Sequence, residues 1–136
     1  MKFVLPVAAA ILPFFLWPIE LIFPYPYFVE EFAKGVLILL MLKDIDSAAE
    51  GVRISLILGL LFAISESVLY IFNIQLVGNL STFLVRLAVT IPLHSFTSIV
   101  IFVFAYTKKV FPLLSGLVIA MVLHFLFNSL IPYLQL

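Results

Sequence analysis

Four short segments carry nearly all the chemistry this sequence offers. They read Glu30-Glu31-Phe-Ala-Lys34, Phe62-Ala-Ile-Ser-Glu66, His94-Ser-Phe-Thr-Ser98 and His124-Phe-Leu-Phe-Asn128. A positioned carboxylate can take a proton from water, and an imidazole can orient that water or pass the proton on. N–H donors such as an imidazole and an amide one helical turn apart can hold a developing oxyanion. Glu30, Glu66, His94, His124 and Asn128 are therefore candidate catalytic residues, with Glu31, Lys34 and Arg86 as supporting groups. Each segment lies in or beside an apolar stretch, where ionisable side chains are costly and mark functional sites.

The elements that position these groups follow from composition. The 136 residues are 65% hydrophobic and 10% charged, with a mean hydropathy of +1.34. Soluble domains are nearer about 45–50% apolar and 25% charged, so the fold class is an all-α transmembrane bundle. Five apolar stretches approach the roughly 20 residues a span needs, at about 3–23, 28–42, 52–73, 81–106 and 111–134. Residues 1–136 read as a single domain, and the N-terminal stretch reads as a retained first helix rather than a cleaved signal. Pro6, Pro13 and Pro18 predict a kinked or partly interfacial first span. Pro24 and Pro26 predict an extended connection to the second. Pro92 frees the carbonyl of Ala88, a break expected on a cavity wall.

With five spans, Lys2, Lys43, Arg53, Lys108 and Lys109 fall on one side and the opposite loops carry no Lys or Arg. The positive-inside rule then puts the N-terminus in the cytoplasm. Glu66 lies about 21 Å along its helix from Val52 at 1.5 Å per residue. His94, His124 and the start of the second helix reach a similar height, toward the extracytoplasmic face. Helical steps of three and four align Ser55, Gly59, Phe62, Glu66 and Tyr70 on one face, and Arg86, Thr90, His94, Thr97 and Ser98 on another. Gly116, Ala120, His124 and Asn128 form one stripe, whose small residues let helices approach closely and which ends in two polar groups.

Several classes are excluded or weakened. Net charge is zero, so no basic surface points to nucleic acid. The absence of cysteine removes thiolate chemistry and cysteine zinc sites. There is no His-Glu-x-x-His pair, no Gly-x-Ser-Gly and no pair of intramembrane aspartates. Plainer readings stand beside the catalytic one. Glu30 with Lys34 at i,i+4 is ordinary helix support, whereas in the catalytic reading Lys34 holds Glu31 and so fixes the entry of the second helix; His124 with Asn128 could equally be an interhelical tie. The same Glu/His cluster also suits a metal-dependent hydrolase or a small ion or proton transporter.

Taken in order, Glu30-Glu31-x-x-Lys34, Phe62-x-x-x-Glu66, His94 and His124-x-x-x-Asn128 resemble the PrsW family of intramembrane proteases. That family belongs with the CAAX-processing and bacteriocin-processing (CPBP/ABI) glutamic membrane proteases. The resemblance covers residues 28 to 130 and implies hydrolysis of a peptide bond in a membrane protein or peptide, without a metal or other cofactor. It implies that Glu30 activates water with Glu66 and His94, and that His124 and Asn128 stabilise the oxyanion. Glu66 stands where relatives acting on prenylated proteins carry a histidine, which leaves open whether Glu66 or His94 partners Glu30. The expected setting is the plasma membrane of a prokaryote. The chain is also short for the family, so further recognition helices are absent or come from a second copy in a homo-oligomer.

Overall fold

A computed structural model describes residues 4–77 and 80–131, apart from the side chains of residues 72–77 and 82. Lys2 and the stretch from 132 to the C-terminus, which includes the end of the last expected span, lie outside the described residues. The described residues form five helices: α1 (Val4–Ile22), α2 (Pro26–Met41), α3 (Ala48–Val77), α4 (Leu80–Ala105) and α5 (Val110–Leu130). Each of the five expected stretches contains one of them. α1, α3, α4 and α5 are long and apolar enough to cross a membrane. α2, at 16 residues, extends only about 24 Å at 1.5 Å per residue.

α1 runs through Pro13 and Pro18 as one helix, with Pro13 on its buried face beside Leu5, Ala9 and Leu16. Two other proline expectations are corrected. Pro26 does not sit in the connection; it opens α2. A first-turn proline gives up an N–H that no helical carbonyl would have received, and its fixed φ suits the helix. The turn therefore shrinks to Phe23–Tyr25. The break at Pro92 is not on a cavity wall either. Ala88 and Pro92 are both exposed, whereas Thr90, His94 and Thr97 are buried. A helical step of four keeps residues 88 and 92 together on the outer face.

The interior has two parts. Toward one end, Leu5, Ala9, Ile38, Met41, Ile54, Leu58, Ile101, Phe102, Ala105 and Ala120 form an apolar core. Toward the other end, α2, α3, α4 and α5 bury Glu30, Glu31, Lys34, Ser67, His94, Thr97 and His124. α2 reaches both: its buried face runs Glu30, Glu31, Lys34, Gly35, Ile38, Met41. The short helix is thus packed against α1, α4 and α5 with its polar half at the site and its apolar half in the core.

Small residues set the helix spacing. A Cβ on Gly59 would meet the backbone carbonyl of His94 and lie 2.6 Å from Ser95 Cα, so α3 and α4 touch backbone to backbone. A Cβ on Gly116 would lie 2.6 Å from Phe104 Cβ. Gly59→Ala must push α4 away and is expected to lower the melting temperature in detergent, with an overpacking cost of about 1–3 kcal/mol. Gly35→Ala meets only the Leu117 side chain, at 2.7 Å, which can turn aside. It should cost less; equal melting temperatures for the two variants would contradict this packing.

Candidate active site

Adjacent carboxylates on α2 point in different directions, because successive helical residues diverge by about 100°. Glu31 turns inward and is fully buried. Its Oε1 accepts from Lys34 Nζ at 2.7 Å and from His124 Nδ1 at 2.8 Å. Plain helix-support spacing would pair Glu30 with Lys34 at i,i+4; the ion pair is Glu31–Lys34 at i,i+3, the pairing that the catalytic reading of the sequence expects.

Lys34 is also fully buried. An ammonium has three donors and no acceptor, and three acceptors surround it. These are Glu31 Oε1, Thr97 Oγ1 at 2.9 Å and His94 Nδ1 at 3.2 Å. The Phe62 ring lies 5.3 Å from Nζ. This arrangement assigns the tautomer of His94: Nδ1 must present its lone pair to the ammonium, so the proton resides on Nε2. That nitrogen lies 2.7 Å from Glu66 Oε2, although the pair is not aligned as a hydrogen bond. The His94 ring stacks on Phe62 at 5.2 Å and meets His124 edge-on at 5.0 Å. By the same logic, His124 donates Nδ1–H to the Glu31 carboxylate and keeps a lone pair on Nε2. A carboxylate behind an imidazole is the arrangement that orients histidines for proton transfer or ligation.

Glu30 turns the other way. It is 4% exposed, yet its Oε2 has no hydrogen-bond partner. That oxygen lies 3.9 Å from the Nδ1 atoms of both His94 and His124. A buried, unsatisfied carboxylate oxygen is destabilising, and its retention points to a functional use. Glu30 and Glu66 face a cavity of about 490 Å³, whose polar wall is completed by Glu20, Tyr70, Arg86 and Asn128. The Arg86 guanidinium carbon lies 3.3 Å from the centre of the Tyr70 ring.

The structure therefore gathers Glu30, Glu31, Lys34, Glu66, His94 and His124 into one connected group. Asn128 and Arg86 lie on the cavity wall beside it. Two participants escaped the sequence reading. Thr97 bridges the network: its hydroxyl accepts from Lys34 and lies 3.3 Å from both Glu31 Oε1 and the His94 carbonyl oxygen. A hydroxyl inside an apolar helix gives little signal of its own. Glu20 did carry a signal, since it is a carboxylate inside an apolar span like Glu66.

Glu30, His94 and His124 each bring one ligand atom within 4.8 Å of the others, a donor set of the type zinc accepts. The hydrogen bonding does not fit that use. With Lys34 at Nδ1 and the proton on Nε2, His94 has no lone pair to give. Glu30 and His124 alone remain, where catalytic zinc sites use three protein ligands.

The model of a family described as PrsW family intramembrane metalloprotease matches residues 20–136. No curated protein and no solved structure matches the chain.

Removing the ammonium should expose how much the site depends on it. Lys34→Met leaves the Glu31 charge buried against His124 and the Thr97 hydroxyl without its ammonium, and breaking a buried pair typically costs about 3–5 kcal/mol. The melting temperature in detergent should fall sharply. The double variant Glu31→Gln/Lys34→Met should recover much of that loss. Additive effects of the two substitutions would show that the pair is not coupled.

Proposed function

The chain belongs to the PrsW family and is an intramembrane peptide hydrolase; we propose that it is of the glutamic type, with Glu30 as the base that activates water. The carrying observation is the buried Glu30 oxygen that has no partner and faces the cavity, beside two imidazoles. Four apolar helices make it an integral membrane protein whose substrate is itself a membrane protein. The site lies toward the extracytoplasmic side of a prokaryotic plasma membrane, with the N-terminus in the cytoplasm. That orientation rests on the sidedness of Lys43, Arg53, Lys108 and Lys109.

In this mechanism a water in the cavity gives a proton to Glu30, and its oxygen attacks the scissile carbonyl carbon. The carbonyl π electrons move to oxygen, making a tetrahedral oxyanion. Asn128 donates an amide N–H to that oxyanion. His124, with Nδ1 held on the Glu31 carboxylate, donates to the same oxyanion through Nε2 in its doubly protonated form. As the oxyanion collapses the C–N bond breaks, and Glu30 returns the proton to the leaving amine. Glu66, held against His94 Nε2–H, orients the water opposite Glu30. Lys34 and Thr97 keep His94 in the required tautomer. Arg86, stacked on Tyr70, is a structural counter-ion in the cavity wall.

The family description favours a second reading, in which Glu30 and His124 hold a metal and His94 joins them after Lys34 withdraws. A divalent metal there would polarise the carbonyl and acidify water. The two readings separate in one set of assays on a transmembrane substrate. Under the glutamic reading, cleavage persists in strong chelator and purified protein carries no stoichiometric transition metal. Glu30→Gln, Glu66→Gln, His94→Ala and His124→Ala each nearly abolish turnover in folded protein, and Asn128→Ala retains a residue after a loss of about 10²–10³-fold. Near-normal turnover by both Glu30→Gln and Glu66→Gln would overturn it. One zinc or iron per chain, lost together with activity, would establish the metal reading instead.

A further inference from the structure

Glu20 takes no part in the hydrolysis just described, yet it shares the wall of the same cavity. It comes from α1, away from the Lys34 network, and among the described residues no cation pairs with it. Charge in the cavity is unbalanced. Glu31 is matched by Lys34, which leaves Glu20, Glu30 and Glu66 facing the space with Arg86 as the one cationic side chain of fixed charge on its wall. That guanidinium is already stacked on Tyr70. Glu30 is buried and Glu20 and Glu66 are half-buried, and carboxylates gathered in this way are costly unless a proton or a positive group pairs with them. Glu30 Oε2, buried and without a hydrogen-bond partner, shows that the shortfall is not met by the protein's own donors.

We propose that Glu20 selects substrates that place a lysine or arginine side chain beside the scissile bond. The inference rests on the hydrolytic reading of this cavity and adds the substrate class. Glu30 must stay free for water, and Glu66 already has His94 Nε2 at 2.7 Å, so Glu20 is the carboxylate left to receive a cation. The remaining walls suit the rest of such a side chain. Trp17, Leu21 and Leu69 line the same space, giving the aliphatic stem of a lysine an apolar surface while its ammonium reaches the carboxylate. A volume of about 490 Å³ is within the range of pockets that hold small ligands, about 300–1,000 Å³.

The test compares transmembrane substrates that differ only by Lys, Gln or Glu at each position flanking the scissile bond. Wild-type protein is expected to favour Lys over Gln at one position by about tenfold or more in kcat/KM, mostly through KM. Glu20→Gln should bring that ratio close to one, and Glu20→Lys should shift the preference toward Glu. Binding of the uncleaved Lys and Gln peptides to Glu30→Gln protein is measured alongside. A retained Lys preference there, whatever the turnover, scores the charge selection independently of the catalytic role of Glu30. Equal wild-type kcat/KM for Lys and Gln at every flanking position would overturn the proposal, as would a Lys preference that survives Glu20→Gln unchanged.

Discussion

A single ammonium, buried where three helices meet, sets the state of almost every other polar group in this protein. Lys34 arrives from α2, is neutralised by Glu31 on the same helix, and spends its other two donors on Thr97 and His94 of α4. Because lysine cannot accept, the contact with His94 has one polarity only. The imidazole proton is forced onto Nε2, toward Glu66 on α3. Glu31, already committed to Lys34, also accepts from His124 on α5. One charge thus ties α2, α4 and α5 together and fixes two imidazoles, and through His94 it reaches α3. The buried ammonium is tolerable in an apolar interior because all three of its donors are used, while Glu30 Oε2, Glu66 Oε2 and His94 Nε2 at the cavity side are left without aligned partners.

The rest of the architecture serves that placement. A 16-residue helix with Glu30, Glu31 and Lys34 on its buried face would be a poor membrane span by itself. It is stable here because neighbours cover that face, and because Ile38 and Met41 extend it into the apolar core. The neighbours can approach only because the close contacts are made by glycine. Gly59 lets α3 rest on the backbone at His94 and Ser95, the same turn of α4 whose imidazole faces Glu66. Packing and chemistry therefore meet at one point. A shift of α4 at Gly59 moves the histidine that faces Glu66.

How much of this was legible in the sequence follows from what each residue type costs in a bilayer. Five helices could be read because apolar stretches of that length have few other uses, and the buried faces of α3 to α5 followed from helical periodicity. Glu30, Glu66, His94 and His124 stood out because an ionisable side chain in an apolar span demands a partner. What spacing could not give was which partner. Spacing alone allowed Lys34 either Glu30 at i,i+4 or Glu31 at i,i+3; it takes Glu31, as the catalytic reading expected, while the links from Lys34 to His94 and from Glu31 to His124 had no local spacing to announce them. Thr97 was placed on the correct face but gave no sign of its bridging role, since a hydroxyl costs little to bury. Pro26 and Pro92 were misjudged for a shared reason. The effect of a proline depends on whether it falls in a first turn or on an outward face, and composition does not report either.

The family description names a metal, and the geometry supplies a reason to weigh that against the carboxylates. Glu30, His94 and His124 converge closely enough to hold an ion. A divalent cation and a buried ammonium compete for the same electrons, however. Nδ1 of His94 gives its lone pair to Lys34 at 3.2 Å, and its other nitrogen carries the proton toward Glu66. To ligate, His94 would have to lose Lys34, and the displaced ammonium would then sit beside a new double positive charge in a low-dielectric interior. That repulsion is strong even at moderate effective dielectric, about 4 kcal/mol per unit charge pair at 4 Å. The same ammonium costs nothing extra in the metal-free mechanism, where it holds Glu31 and His94 in the states that Glu30 needs around it. The charge of Lys34 is the physical link between the two questions, for it sets both the tautomer of His94 and the kind of ligand the site can accept.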